Sequence, residues 1–521
     1  MSALVGQKKI VNSVISGSPI KVLDPACGTG GFLVYLLQDS ILQLQIKLKS
    51  REINKATYDS AVKKLKEKVF FGSDANEGVA ASAKMNMIIA GDGHTNIQHE
   101  DSLANSAINW STTNPDCNLI LTNPPFGTSE GESLTSTDMR QFGVASSKGQ
   151  YLFIQKMINS TLAGGEICTV IDEGVLNTDS GKELRKFILQ NCKLICVVNL
   201  PNETFKPNKI NVKSSLLYFE KRETPDVDFE DKYKVTICQF DTLGYEGSGD
   251  KIRGFDKEKF LNEIGQEVLN QSSGTPRNGY NWKAFDIEIS EIYNDTTYRF
   301  DYKYWDLETR DKIKILVNSK NPAIKELNQI ITSRGKSPSA DSYVDEQDGY
   351  AIVIKAGSNI SKLGKVITFD SDWVEKSVYD EFLEKSIELK LNLNIIQKGD
   401  VLLSSTGDGT LGKCCVFDLD TPAIADGHVT IIRVDSKKID PYYLADFLRN
   451  GFGANQVTRL YTGSTGLIEL TPDQVDRIVV DIKSNLTEQQ TLSKKLRIIE
   501  DSYVSKLKEA DDILVSSKNI L

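Results

Sequence analysis

The residues best suited to chemistry close the apolar run CNLILT: Asn123, Pro124, Pro125 and Phe126. An Asn side-chain oxygen and the carbonyl of the following proline are both acceptors. Two adjacent prolines fix the loop and leave fewer amide donors to compete. Acceptors so placed suit a planar amine whose lone pair is delocalised into a ring, because they orient its hydrogens and leave the nitrogen better able to attack. Phe126 can stack on the ring that bears the amine, and an adenine swung out of a duplex presents such a ring. For these four residues taken alone, a proline-rich turn after a buried strand is the competing reading.

Upstream lies KVLDPACGTGGFLVYLL, a strand, an acid, a loop with Gly28, Gly30 and Gly31, then a helix. Glycines let the chain turn tightly and let a ligand approach the peptide groups at the carboxyl edge, where open α/β sheets bind ligands. An isolated Gly-x-Gly reads equally as an ordinary strand-to-helix turn. No Lys-Ser/Thr follows, which disfavours a nucleoside triphosphate. Asp24 ends the first strand, placed to accept from an ammonium or a ribose group. Asp74 ends the second, where a carboxylate can take paired ribose hydroxyls. Asp101, in HEDSL, ends the third, near where an adenine ring would lie. Three acids at three successive strand ends fit a cationic nucleoside, although Asp74 or Asp101 taken singly could be a helix N-cap.

Elements must carry these residues to one edge. The runs KVLD (21–24), VFFGSD (69–74), NIQHED (96–101), CNLILTNPP (117–125), GEICTVID (165–172), KLICVVNLP (193–201) and SSLLYFEK (214–221) are short, branched and apolar, as strands buried on both faces are. Helical patterns such as FLVYLLQDSILQLQIK and GKELRKFILQ lie between them. The expectation is a doubly wound, Rossmann-like α/β domain over 1–240 with an open, mostly parallel sheet. Gly, Ser, Asn and Pro clusters then predict a connector over 241–320. YAIVIKAG, KGDVLLSSTG, GKCCVFDL, HVTIIRVD and RIVVDI predict a β-rich α+β domain over 321–484, and 485–521 a long amphipathic helix.

Bulk properties exclude several classes. At 521 residues the chain exceeds one core, and no apolar run approaches a membrane span. The N-terminal lysines precede no long apolar segment, so a cytoplasmic protein is expected. Eight scattered cysteines without Cys-x-x-Cys spacing read as free thiols, and three histidines (His94, His99, His428) leave little for a metal. A net charge of −9 argues against coating DNA through diffuse positive charge, but not against binding it through a local basic face.

DPACGTGGFL at 24–33 followed by TNPPFG at 122–127 resembles the methyltransferase (modification) subunit of type I restriction-modification systems and its single-chain relatives. The segments at 71–103 and 149–176 are similar to the stretches that follow each motif in that family, so the likeness covers about 1–235. It implies an N6-adenine DNA methyltransferase with S-adenosyl-L-methionine as cofactor, Thr29, Gly30, Gly31 and Asp74 in cofactor positions and Asn123 to Phe126 in catalytic ones. With Asp24, Ala26, Gly28, Asp101 and Ser102 these complete the expected site, without a metal. YRFDYKYW (298–305), KGDVLLSSTGDGTLGKCCVF (398–417) and ADGHVTIIRVDSKKIDPYYLADFL (425–448) look like one target-recognition domain of the matching specificity subunit, and the final helix resembles that family's spacer helix.

The family usually has a long helical region before the cofactor loop, where this sequence has MSALVGQKKIVNSVISGSPI. It also usually has two recognition domains, so a bipartite target implies double-stranded DNA bound with a second copy of the chain, joined through the terminal helix, or with a separate specificity or nuclease subunit. That helix packing on its own domain is the equal alternative. Arg334, Lys336, Lys413 and Arg459 are candidate DNA contacts, with Tyr461, Gly463, Ser464 and Gly466 in a tight loop nearby; each reads also as ordinary surface, and His428 as a turn residue. Rival functions are methylation of RNA or a glutamine side chain, a fragment of an enzyme that both cuts and methylates, and a catalytically silent recognition fragment. No Asp…Glu-x-Lys nuclease cluster is evident.

Overall fold

A computed structural model describes residues 1–6, 8–91, 96–210, 212–319, 331–388, 395–464, 466–483 and 485–518. His94, Thr465 and the expected domain boundaries at 320/321 and 484/485 lie at least partly outside these residues. Contacts divide the chain into two compact units, Met1–Tyr302 and Lys303–Leu521.

The first unit is built on a ten-stranded sheet: β1 (Val22–Asp24), β2 (Phe70–Asp74), β3 (Asn96–His99), β4 (Cys117–Thr122), β5 (Thr161–Asp172), β6 (Cys192–Asn199), β7 (Ser214–Lys221), β8 (Lys234–Phe240), β9 (Arg277–Gly279) and β10 (Trp282–Glu288). The first seven are the seven apolar runs. Their spatial order is β3-β2-β1-β4-β5-β7-β6-β8-β10-β9. Strands β3 to β5 are all parallel, and β8 is parallel to β6. Strand β7 is antiparallel to β5 and β6, and β10 to β8 and β9. Five of the seven pairings among β1 to β8 are parallel, as expected of a mostly parallel sheet over 1–240, and the β9–β10 hairpin extends it with antiparallel strands. Strands β6 and β7 are neighbours in sequence and in space without a crossover helix between them, and such a pair must run antiparallel.

Strand alternation builds a core on each face. Val22, Leu119, Leu121, Val170, Val198 and Leu216 share one with Leu33, Leu36 and Leu37 of helix Gly31–Lys49 and Ala80 and Ala83 of helix Glu77–Ile89. Leu23, Ile120, Ile167, Val197 and Leu217, equally buried, point the other way, toward the side of helix Gly149–Ser160, in which eleven of twelve residues are buried. At roughly 1.5–3 kcal/mol for each large side chain buried, these layers hold the strand ends, and the loops they carry, in fixed positions.

The predicted connector at 241–320 is corrected by the structure. Strands β9 and β10 and helix Lys257–Gln266 complete the first unit. Buried Trp282 donates to Glu263 Oε2 at 2.9 Å, and Arg277 forks onto Asp286 at 2.6 and 2.8 Å. The Gly, Ser and Pro clusters that suggested a linker are the turns around these short strands.

The second unit has a four-stranded sheet, β11 (Ile331–Arg334), β19 (Val429–Arg433), β16 (Val401–Ser404) and β17 (Cys414–Val416), in that order. A five-stranded sheet holds β12 (Tyr343–Val344), β14 (Asp372–Val374), β13 (Ala351–Ile354), β18 (Ala423–Ala425) and β15 (Ile395–Ile396). RIVVDI is not a strand. Its apolar residues are buried, but Gln456 takes the place of a partner strand: its side chain donates to Val479 O at 2.7 Å and accepts from Val479 N at 2.8 Å. The terminal helix spans Leu486–Lys518. Its first turns are tied to their own unit, Gln489 to Lys438 and Asp440, Arg497 to Asp446, and Glu500 to Arg449. From Asp501 to Leu514 every residue is exposed.

Candidate cofactor and catalytic site

Strand order reverses direction of growth between β1 and β4, the switch point at which open α/β sheets form a crevice at their carboxyl ends. The loops that follow β1, β2, β3 and β4 meet there. Gly28 and Gly30 adopt left-handed φ of 55° and 81°, which lets the chain turn from β1 straight into helix Gly31–Lys49. That helix has no side-chain cap and no acid in its first turn, so its leading N–H groups face the crevice edge without a built-in anion. A Cβ added at Gly28 or Gly31 would meet nothing within 4 Å. The loop is pinned from below: Cys27 N donates to Ser73 O at 2.9 Å, Gly30 N to Cys27 O at 2.8 Å, and Asn86 Nδ2 to Thr29 O at 2.9 Å.

Asp24 and Asp74 both turn toward this loop. Asp74 Oδ2 accepts from Gly28 N at 3.0 Å and its Oδ1 from Asn76 N at 2.9 Å. It is not a helix N-cap; Asn76 fills that place by accepting from Val79 N. Asp24 Oδ1 accepts from Thr122 Oγ1 at 2.7 Å and from Ala26 N at 3.2 Å, joining the glycine loop to the last residue of β4. Burial, the dominant influence, lifts the Asp24 carboxyl to about 7, against those two hydrogen bonds and with a smaller push from Asp74. The same burial drives the Cys27 thiol far upward, so it is no nucleophile. Asp101 is exposed and accepts from Leu103 N at 2.9 Å in a local turn, while buried Ser102 donates to Pro25 O at 2.6 Å. The third loop is thereby joined to the first.

At the end of β4, Pro124 is buried and Pro125 exposed, and Asn123 and Phe126 are half-buried. Among the described residues, Asn123 Oδ1 is buried without a hydrogen-bond partner. Asn123 lines a cavity of about 250 Å³ with Phe32, Val170, Leu200, Thr204, Phe205 and Leu216. Phe126 meets Phe205 edge-on, ring centres 5.8 Å apart. Two aromatic rings and an orphaned amide oxygen beside an apolar cavity suit a flat heterocycle with an exocyclic amine. An unmade hydrogen bond at a buried acceptor costs roughly 1–3 kcal/mol, a cost a bound donor would relieve.

Two of these residues are absent from the sequence-based site. Thr122 looks like any buried strand residue, yet its hydroxyl holds Asp24. Phe205 lies in NLPNETFKP, where an aromatic residue in a polar loop after a buried strand is the available signal.

In the second unit several candidate contacts are committed internally. Arg334 donates to Leu470 O at 2.6 Å and pairs with Glu469 at 3.2 Å, and Arg459 donates to Tyr304 O at 2.8 Å. Lys413 reaches Gly357 O at 3.2 Å, and His428 Nδ1 pairs with Thr406 Oγ1 at 2.8 Å. Lys336 is exposed. Tyr461 carries Lys303 over its ring. The tight loop is real: Gly463 has φ of 98°, and a Cβ there would lie 2.1 Å from Leu467 O. Gly466 (φ 80°) and Ser464 complete it. Among the described residues no group of three or more His, Cys, Asp or Glu could hold a metal, and no helix is long and apolar enough to cross a membrane.

A family profile described as N-6 DNA Methylase matches residues 7–299. The methylase subunit of the type I restriction enzyme StySPI from Salmonella potsdam is 27% identical over 217 residues, 41% of this chain and 38% of that subunit. The EcoEI methylase subunit from Escherichia coli is 27% identical over 296 residues, 54% of this chain and 55% of that one. The chain thus spans well under two thirds of the length of these relatives. The solved methyltransferase subunit of a type I restriction-modification system from Streptococcus thermophilus is 18% identical, covers 57% of each chain and aligns with a TM-score of 0.39.

Proposed function

The chain belongs to the N-6 DNA methylase family, and on that footing we propose that it transfers a methyl group from S-adenosyl-L-methionine to N6 of an adenine flipped out of double-stranded DNA. The observation that carries this reading is the buried Asn123 Oδ1, without a hydrogen-bond partner among the described residues, beside the Phe126–Phe205 pair and next to the glycine loop. Asn123 Oδ1 and the Pro124 carbonyl accept the two N6 hydrogens, which orients the amine and loads its lone pair for attack. Phe126 stacks on the base and Phe205 closes its edge; Pro125 keeps the turn rigid. Asp74 receives the ribose hydroxyls, Asp24 Oδ2 a positive charge, and Asp101 and Ser102 border the adenine ring of the cofactor. Gly28, Thr29, Gly30 and Gly31, with Ala26, let its remainder lie against the backbone. When bound, the cofactor supplies a methyl group on a sulfonium. The N6–carbon bond would form as the sulfur–carbon bond breaks, and the extra proton on N6 would pass to solvent, with Asn123 Oδ1 and the Pro124 carbonyl serving to orient the amine.

The second unit serves in this reading as the target-recognition domain of a restriction-modification enzyme, working in the cytoplasm. The terminal helix supplies a contact for a second copy: Ile499, Tyr503 and Leu507 recur at helical spacing and are exposed. A separate specificity or nuclease subunit is the other partner for that surface. Ile499→Glu is then expected to lower the mass measured by sedimentation, and a parent that sediments as a monomer contradicts the second-copy contact.

Supply of labelled S-adenosyl-L-methionine with mixed-sequence duplex DNA, RNA or protein tests the function. Label in DNA alone, lost on Asn123→Ala, is expected. Label in RNA or protein moves the chain to another amine methyltransferase class, and tight duplex binding with no transfer to any acceptor leaves a silent recognition fragment.

A further inference from the structure

The mechanism leaves unused a lysine that is only 1% exposed. Lys156 lies on helix Gly149–Ser160 and directs Nζ at Ala104 O, 2.6 Å away, with its ammonium 5.2 Å from the Trp110 ring centre. A methionine would fill the same space without a buried charge, so packing alone does not explain it.

Its target is informative. Ala104 closes the loop that presents Asp101 and Ser102, and that loop is gripped at consecutive residues. Trp110 Nε1 donates to Ser102 O at 2.7 Å, Gln141 Nε2 to Leu103 O at 2.6 Å, and Lys156 to Ala104 O. Asn105 N then donates to Asp138 Oδ1, and Asn105 Nδ2 to Thr137 O, both at 2.8 Å. All but Trp110 belong to the stretch running on from the Asn123–Phe126 loop. The same helix secures that stretch: Gln155 makes a two-way pair with Val144 at 2.7 and 2.9 Å, and Gly149 N donates to Thr128 O at 3.0 Å. One buried helix therefore holds the third cofactor-edge loop and the chain that leaves the catalytic loop.

We propose that Lys156 and Gln141 are positioning residues that couple cofactor binding at the Asp101–Ala104 loop to base binding at the Asn123–Phe126 loop. The inference rests on the cofactor and substrate reading above. Each ligand favours the arrangement the other needs, so each tightens the other by one and the same factor. Burial lowers the Lys156 ammonium to about 8, while Asp101, Glu100 and Asp138 counter the shift. The network thus holds the lysine charged near neutral pH.

The test measures S-adenosyl-L-methionine affinity with and without duplex DNA, and duplex affinity with and without cofactor, on the full chain and on Lys156→Met and Gln141→Met. Thermal unfolding of the ligand-free proteins is followed in parallel. The parent is expected to show matching, reciprocal tightening. Each variant is expected to lose that coupling, Lys156→Met binding cofactor roughly 10-fold or more weakly and Gln141→Met roughly 2- to 10-fold, the worth of one hydrogen bond from a charged and from a neutral donor. Gln141→Met, on a half-exposed loop, carries the test if Lys156→Met does not fold. Variants that keep the parent's coupling factor overturn the proposal. A parent that binds no cofactor overturns both this proposal and the functional reading, and is told apart by the parent's own titration.

Discussion

Replacing Asp24 with asparagine sets stability against function in a way the structure quantifies. The unfolded chain releases the Asp24 proton near its ordinary value of 3.8, whereas burial holds it in the folded chain until about 7. Between those values the folded state binds more protons, so stability falls as pH rises through that window and is level above it. The full cost is about 4 kcal/mol, from 1.36 kcal/mol for each pH unit between the two values. Asp24→Asn keeps an oxygen for Thr122 and the Ala26 amide and removes the charge. The ligand-free variant is therefore expected to be more stable than the parent at pH 8, with the advantage shrinking by about 2 kcal/mol at pH 5.5. Cofactor affinity is expected to move the other way. A buried carboxylate facing a cation is lost, which weakens binding roughly 10-fold or more. The parent's affinity is expected to rise roughly eightfold from pH 6 to 7.5 as Asp24 ionises, a rise the variant lacks. Denaturant unfolding at the two pH values and calorimetric titration read both effects. A variant with the same stability difference at both pH values, or with undiminished and equally pH-dependent cofactor binding, refutes the reasoning.

Other substitutions probe single links. Phe126→Ala is expected to slow single-turnover transfer to DNA by roughly 5- to 150-fold, the worth of one base–aromatic stack, while calorimetry finds cofactor affinity retained. Gly30→Ala forces a side chain into left-handed backbone with its Cβ 3.4 Å from that of Ala83; a loss of about 1–2 kcal/mol is expected in unfolding experiments. In the second unit, Gln456→Ala strands the buried N–H and C=O of Val479. A cost of about 2–4 kcal/mol, two unsatisfied groups at the lower end of the usual range, is expected in its melting transition.

How far the sequence reveals these features follows from the range of the forces involved. Strands β1 to β7 were legible because burial on both faces demands continuous branched apolar residues, a local signal. RIVVDI carries the same signal and its apolar residues are equally buried, yet Val479 at its centre pairs with one distant glutamine rather than a neighbouring strand, which no local pattern reports. The β9–β10 hairpin was hidden because short strands flanked by Gly and Pro look like a linker until Trp282 and Arg277 find their partners. At the site, Asp24, Asp74 and the glycine loop were legible from their places at strand ends. Their hydrogen bonds to Thr122 and Gly28, and the meeting of Phe126 with Phe205, depend on strand order, which brings residues 98 and 79 positions apart into contact.

The atom that receives the methyl group decides whether this chain is an N6-adenine methyltransferase. Duplex DNA treated with the full chain and labelled S-adenosyl-L-methionine, then digested to nucleosides and separated, identifies the product atom. Label in N6-methyladenine, absent with Asn123→Ala, is expected. Label in a methylated cytosine, or N6-methyladenine formed equally well by the Asn123 variant, contradicts an Asn123-dependent N6-adenine transfer.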